Sequence, residues 1–192
     1  MSTIRSAPDV RLPEPNFVHP ELVPTESAGA KAARYVAAVA RISLGFTFLW
    51  AFVDKLFGFG FATPSAKAWI NGGSPTTGFL KFGVPENNPF QGFFNGMAGQ
   101  AWADWLFMAG LLGIGLALTL GIGMRLAAAT GALLYALMWA ASLPLENNPV
   151  IDDHMIGAIS LVALAALLAG DTWGFGQMWA RTGIVRRHGF LR

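Results

Sequence analysis

Four long apolar runs dominate the pattern of hydrophobic and polar positions along the chain. The first extends over 35–53 and carries one charge, Arg41; the runs over 106–124, 126–143 and 155–170 carry none. Each run approaches the ~20 residues that a helix needs to cross ~30 Å of hydrocarbon. The pattern predicts an all-α membrane protein with a four-transmembrane-helix bundle, whose spans lie at about residues 35–57, 103–124, 125–143 and 151–170.

The segment between the first two spans, 58–102, is long for a connection inside a small bundle. It combines Gly, Pro and Asn with aromatic side chains that are too numerous for a solvated linker: Phe59, Phe61, Trp69, Phe79, Phe82, Phe90, Phe93 and Phe94. The spacing of the last three predicts a short helix over 89–96, and a second short piece is expected near Trp69. We expect a long aromatic outer loop with short interfacial helices that covers the bundle; a mobile loop is the alternative.

The two ends of the chain differ in composition from the spans. Residues 1–30 contain four acids, five prolines and no apolar segment, which excludes a signal peptide and predicts a flexible cytoplasmic tail. The transmembrane domain is expected over 31–175, and a basic cytoplasmic C-terminal tail over 176–192. Positive charges concentrate on one side of the predicted spans, which places both termini in the cytoplasm of a multi-pass cell-membrane protein: Lys31, Arg34, Arg125, Arg181, Arg186 and Arg187.

Composition narrows the class further. Hydrophobic residues make up 54% of the 192 residues and charged residues 12%, which excludes disorder and argues against a water-soluble globule. The net charge of +2 gives little support for a nucleic-acid partner. Because the chain has no Cys, it cannot hold a disulfide, a thiolate metal site or an iron–sulfur cluster.

A short motif occurs twice, as Pro-Glu-Asn-Asn-Pro over 85–89 and, with one insertion, over 144–149. Asn88 and Asn148 are suited to cap helices that start at the following proline, and Gln91 would complete a capping box with Asn88. A weak duplication of two helical hairpins explains the repeat equally well. A cation site built from Glu86 and Glu146 is disfavoured because it offers few ligands; we expect no metal site.

Polar residues gather at the predicted outer ends of the spans. Helical phase places Asp153 and His154 toward the bundle and Asp152 toward lipid. Together with Asp54 and Lys55 they would form the catalytic group of an outer-leaflet cavity. Its aromatic walls would bind a flat, partly polar ligand such as a quinone head group: Trp50, Tyr135, Trp139 and Trp105. The alternative is a hydrogen-bonded cluster that only ties helix ends together.

Arg41 lies deeper, at the level of the inner leaflet. The simplest interpretation is that its long side chain extends to lipid phosphate at the membrane surface.

Several of these residues resemble the DoxX family of small four-helix membrane proteins, which includes the DoxD-like large subunit of thiosulfate:quinone oxidoreductase. The resemblance covers about 34–171 and is carried by Arg41–Gly45, Phe48–Trp50, Lys55–Phe57 and Asn147–His154. Relatives commonly have a glycine shortly before the lysine, where this chain has Phe52–Asp54. The resemblance implies a membrane subunit of a quinone-linked oxidoreductase that acts on thiosulfate at the outer face.

The residues limit which cofactors the chain can hold. Of three histidines only His154 lies near a span, so a haem with two histidine ligands is excluded. No dinucleotide-binding signature is present, and neither a haem, a flavin nor an iron–sulfur cluster is expected. The electron carrier is therefore the quinone or belongs to a second redox subunit.

Two other functions fit the same pattern. One is a non-catalytic membrane scaffold or assembly partner that recruits a redox complex through the aromatic segment or the basic tail. The other is a small-solute permease, which would need a homo-oligomer because four helices form only a narrow bundle.

Overall fold

A computed structural model describes residues 26–192, and the regular structure within that range is entirely helical. Short 3-10 helices supplement the α-helices in the connections. The α-helices are α1 (Ala28–Phe57), α2 (Thr77–Phe82), α3 (Gln91–Met97), α4 (Ala101–Leu120), α5 (Met124–Ala141), α6 (Asp153–Ala166), α7 (Gly176–Ala180) and α8 (Gly183–Arg187).

Three helices are long and apolar enough to cross a membrane: α1, α4 and α5. At 1.5 Å per residue they extend over about 45, 30 and 27 Å. The helix α6 has 14 residues and is therefore shorter, about 21 Å, although it lies in the fourth predicted span. The all-helical membrane class is thus supported by three helices.

The helix α1 begins earlier than its apolar run suggests. The side chain of Ser27 accepts a hydrogen bond from the Ala30 N–H, 3.1 Å away, and caps the helix. Residues 28–30, which we expected in the flexible tail, are therefore helical. Residues 1–25 of that predicted tail lie outside the described residues. The sequence pattern missed this turn because helix formation requires a cap and favourable propensity but not apolar residues.

The core forms where α1 packs on α4 and α5 packs on α6. Small residues permit these close approaches. A Cβ added at Gly115 would lie 2.7 Å from Leu49 Cγ, and one added at Gly131 would lie 2.6 Å from Leu161 Cδ1. Such contacts are typical of helices that associate in lipid, where backbones must come close for van der Waals attraction.

The two ends of these helices are covered differently. The helices α2 and α3 lie at the end where α1 stops and α4 starts, which we call the loop-covered end. The opposite, tail-covered end holds the α4–α5 turn, where Gly121 and Gly123 adopt positive φ angles of 72° and 59°. The predicted boundary between the second and third spans falls at 124–125, and the structure places the turn slightly earlier, at these glycines.

Arg41 does not extend to the membrane surface, so the interpretation from the sequence is wrong. Its side chain is fully buried, with 0% exposure. The guanidinium donates hydrogen bonds to five backbone carbonyls at the C-terminal ends of α4 and of the segment after α6: Leu118, Thr119, Ala169, Thr172 and Trp173. Helix C-termini leave carbonyls without partners and carry partial negative charge, and both favour a buried cation here.

The predicted C-terminal tail is also folded. The Trp179 indole N–H donates to the Leu191 carbonyl at 2.6 Å, and the Arg125 backbone N–H donates to the Arg192 carbonyl at 2.8 Å. An ion pair of 3.0 Å joins Arg192 to Asp171. The sequence predicted only a basic tail here, whereas these contacts hold residues 189–192 against the start of α5 and against α7.

We expect Arg41→Met to destabilise the protein by roughly 3–5 kcal/mol, because five backbone carbonyls would lose the hydrogen bonds of a fully buried guanidinium while the apolar volume is kept. Arg34→Met is the matched control, since Arg34 makes only a half-exposed ion pair of 2.8 Å with Glu26 and its loss should change stability by less than about 0.5 kcal/mol. Thermal unfolding in detergent measures both variants. Equal stability of the two would contradict the role of Arg41.

Candidate functional site

The start of α6 carries a linked pair of ionisable side chains. Asp152 is the N-cap: one carboxylate oxygen accepts the Met155 N–H at 2.9 Å, and the other lies 2.7 Å from His154 Nδ1. The Asp152 carboxylate therefore contacts both the backbone at the start of α6 and the imidazole.

The sequence analysis predicted the wrong orientation for Asp152 and Asp153 relative to the helix bundle. We expected Asp153 in the bundle and Asp152 on lipid, whereas Asp153 is exposed and Asp152 is half-buried beside His154. The reason is that the helix starts at Asp153. Asp152 has extended backbone angles, φ −126° and ψ −175°, so the helical phase used for the prediction does not apply to it.

An aromatic wall stands beside His154, as predicted for Tyr135. The ring centroids of Tyr135 and His154 are 6.1 Å apart, and Tyr135 packs on Phe48 of α1 at 5.2 Å. Gly157 makes room for the phenol, since a Cβ there would lie 2.7 Å from Tyr135 Cε2. Three helices, α1, α5 and α6, therefore contribute to this cluster, which we call the His154 cluster.

Trp139 lies one turn after Tyr135 on α5 and contacts the segment that leads into α6. Its indole N–H donates to the Val150 carbonyl at 2.9 Å, which connects α5 to the segment before α6. The Asn148 side chain accepts the Val150 and Ile151 N–H groups in that segment, both at 2.9 Å, and so shapes a turn instead of capping a helix at Pro149.

Asp54 and Lys55 have other partners. The Asp54 carboxylate is 2% exposed and accepts the Ala62 N–H at 2.9 Å and the Phe61 N–H at 3.4 Å, so it organises the loop after α1. The Lys55 ammonium lies 5.8 Å from the ring centroid of Phe107 on α4. Within residues 26–192, no hydrogen bond connects either side chain to His154.

Two of the predicted ligand-binding aromatics pack elsewhere. Trp50 belongs to an aromatic row along α1 and the following loop, with Phe61 at 5.1 Å and Phe59 at 6.1 Å between ring centroids. Trp105 is 67% exposed and contacts Trp69 edge-on at 4.7 Å. Of the four aromatics proposed for the site, Tyr135 borders His154, and Trp139 contacts the segment before α6.

Polar side chains at the loop-covered end mainly form hydrogen bonds with backbone groups. The Asn88 amide donates to the carbonyls of Ala140, Ala141 and Leu143 at 2.7–3.0 Å and so caps the C-terminus of α5. The predicted helix start at Asn88 is wrong: α3 begins at Gln91 with Phe90 as N-cap, and no capping box forms. The side chain was missed in this role because its partners are about fifty residues away in sequence.

Asp104 serves a similar purpose on α4. Its carboxylate accepts the hydroxyls of Ser74 at 2.8 Å and Thr76 at 2.6 Å, and the Thr76 N–H at 3.1 Å. This contact joins the segment before α2 to the first turn of α4.

An apolar cavity of about 340 Å³, which the sequence did not indicate, lies between α4 and α5 beneath α2 and α3. Gly110 and Ile114 of α4, Leu134 and Met138 of α5, and Phe79 and Phe94 of the short helices are among the residues that line it. Neither His154 nor Asp152 borders this cavity. The one sequence feature that points to this cavity is Gly110, because a residue without a side chain leaves space beside α4.

Comparison of the chain with protein-family models, with curated proteins and with solved structures finds no match. The resemblance to the DoxX family therefore stays a prediction. Among residues 26–192, no group of three or more His, Asp or Glu side chains is arranged to hold a metal ion.

The His154 cluster is suited to proton exchange. A carboxylate only accepts hydrogen bonds, so His154 Nδ1 donates to Asp152 and the imidazole is held with Nε2 available to a ligand. The neighbouring phenol offers a flat surface and a polar group. A partly apolar molecule with a carbonyl or hydroxyl oxygen is what such a cluster would recognise.

We expect Asp152→Ala to lower stability by about 1 kcal/mol at neutral pH, because the helix loses its N-cap. Asp153→Ala, at the next and exposed position, should change it by less than about 0.5 kcal/mol. Unfolding in detergent tests this; a larger effect at Asp153 would contradict it.

Proposed function

We propose that α6 is the fourth membrane span, completing a four-helix bundle. Its side away from α5 presents large apolar side chains that are about half exposed, Ile156, Ile159 and Val162, as expected of a surface in contact with lipid. The segments on either side of α6 would extend its 21 Å toward the thickness of the hydrocarbon core. Basic residues near the tail-covered end, among them Lys31, Arg34 and Arg125, favour a cytoplasmic position for both termini.

The function that the site supports best is a membrane subunit of a quinone-linked oxidoreductase, with the quinone head group at the His154 cluster. The observation that carries this proposal is the 2.7 Å contact between His154 and Asp152 next to the Tyr135 ring. A titratable imidazole, oriented by a carboxylate and placed beside an aromatic ring, suits a ligand that gains or loses protons during its reaction.

In this proposal the chain binds the quinone and supplies its protons, and the electrons come from a separate donor. Reduction of a quinone to a quinol consumes two electrons and two protons. Protonated His154 would donate a proton through Nε2 to a quinone oxygen, take up another from the aqueous side and donate that one as well, so that both protons of the quinol come from water through His154; Asp152 would stabilise the imidazolium. The electrons come from a donor, for which the resemblance suggests thiosulfate: two thiosulfate ions that couple through a new S–S bond release two electrons, at this chain or at a second redox subunit.

We expect the protein extracted in mild detergent to retain quinone, and thiosulfate to reduce that quinone. His154→Ala should slow quinol formation by about 10²-fold or more, because a positioned proton donor is lost. His188→Ala is the matched control, since His188 lies after α8 and packs on Phe190 at 5.9 Å between ring centroids. Quinone content and the rate of reduction are measured for both variants.

The conservative variant His154→Gln separates structure from chemistry, because it keeps a polar side chain near Asp152 but cannot exchange a proton. Retained quinone with a lost rate would support proton transfer by His154. Absence of quinone from the wild-type protein, or an unchanged rate in His154→Ala, would contradict the proposal.

A scaffold function is the second candidate, and the exposed aromatic residues of the loop-covered end favour it. Phe61 is 77% exposed and Phe82 74%, and exposed apolar surface of this kind marks contact with a membrane or a partner. Capture of a defined redox subunit by the wild-type protein, and its loss in a Phe61→Ser, Phe82→Ser variant with quinone absent throughout, would favour this candidate over the first.

A further inference from the structure

The apolar cavity between α4 and α5 has the dimensions of a single lipid leaflet. Its lining on α4 runs from Trp102 to Ile114, which corresponds to about 18 Å of helix. Half of the hydrocarbon core of a bilayer measures about 15 Å. The cavity is closed toward the tail-covered end, where Ile114 Cγ2 lies 3.4 Å from the position of a Cβ on Gly131.

Apart from the indole N–H of Trp102, which is 58% exposed in the first turn of α4, the lining offers no free side-chain polar group to a ligand. Its two hydroxyl side chains are already engaged: Thr130 donates to the Leu126 carbonyl at 2.8 Å, and Thr76 donates to Asp104 at 2.6 Å. A polar molecule would therefore lose its hydrogen bonds to water without replacement. The apolar lining therefore favours a hydrocarbon ligand.

The cavity is held open by contacts on both sides. Asn88 fixes the segment before α3 to the end of α5, and Asp104 fixes the segment before α2 to the start of α4. Phe79 and Phe94 from these short helices form its cover. A cavity of this size exceeds the roughly 150 Å³ that is enough to bind a benzene-sized molecule in a protein core.

The surroundings indicate the source of the hydrocarbon. Both helices that form the walls are long and apolar enough to span a membrane, and side chains at the edge of the cavity are open to the exterior, with Leu106 at 67% and Leu133 at 61% exposure. In a bilayer, the molecules that contact these edges are acyl chains.

We propose that this cavity is a binding site for one acyl chain of a bilayer phospholipid, which enters from the side between α4 and α5 and ends at Ile114. The headgroup stays outside, at the loop-covered end. The inference rests on the membrane position of α4 and α5 and does not depend on the quinone chemistry proposed for His154.

Two glycines of α4 provide a matched test. Gly110 lines the cavity, Gly113 does not, and at both positions an added Cβ meets nothing within 4 Å. Gly110→Phe should fill the cavity, whereas Gly113→Phe should add a ring outside it. Native mass spectrometry of protein extracted in mild detergent should find one phospholipid on the wild type and on Gly113→Phe. Its occupancy should fall about tenfold in Gly110→Phe, since exclusion of two methylene groups already suffices for that loss.

A second measurement uses the wild-type protein alone. In vesicles of phosphatidylcholine that contain a small share of a phosphatidylcholine with a diazirine on one acyl chain, illumination should label peptides that contain Phe94 and Leu134 more strongly than the exposed Leu116 and Leu126. Uniform labelling, equal phospholipid occupancy in the two glycine variants, or loss of an isoprenoid quinone instead of a phospholipid in Gly110→Phe would overturn the proposal. Gly110→Leu replaces Gly110→Phe if the larger ring prevents folding.

Discussion

Five backbone carbonyls converge on the guanidinium of Arg41, and they come from the ends of two different helical segments. Water satisfies such carbonyls in a soluble protein, but a hydrocarbon environment offers no replacement, so the cost of leaving them free is high. Two residues in the segment after α6, Leu168 and Trp173, adopt a φ of 51°, which is unfavourable for residues with a side chain. The hydrogen bonds to Arg41 offset this strain and hold the α4–α5 turn and the end of α6 together. The arrangement of the other helices depends on this contact.

Among the described residues, most of the buried charged and polar side chains form hydrogen bonds with backbone groups and so fix the connections between helices. Asp54 holds the loop after α1, Asp104 holds the segment before α2, and Asn88 covers the end of α5. These assignments explain why residues that look catalytic by composition have structural partners instead. The pair of His154 and Asp152 differs, because its imidazole has a carboxylate on one side and an aromatic ring on the other, and its remaining nitrogen is not committed in the same way.

The continuous apolar runs were sufficient to place α1, α4, α5 and α6 along the sequence, because the length of an apolar run is a property of local sequence. The sequence also indicated that Tyr135 and His154 meet. It failed where the outcome depends on distant partners: Arg41 and Asn88 each bind carbonyls that are more than fifty residues away. It failed at Asp152 because this residue precedes the helix, so the helical phase does not apply to it. The folded C-terminal segment and the apolar cavity depend on how elements pack, which a single sequence does not encode in a local pattern.

The contact between Gly121 and Gly170 has a mechanical consequence. A Cβ on Gly121 would lie 2.7 Å from the Gly170 carbonyl oxygen, so the two turns meet backbone to backbone and neither position tolerates even a methyl group. These turns cannot slide or separate without breaking the contacts of Arg41 as well. The opposite end is joined by side-chain hydrogen bonds, which can exchange one at a time with water or headgroups. Any spreading of the helices that admits a guest molecule is therefore easier at the loop-covered end than at the glycine contact.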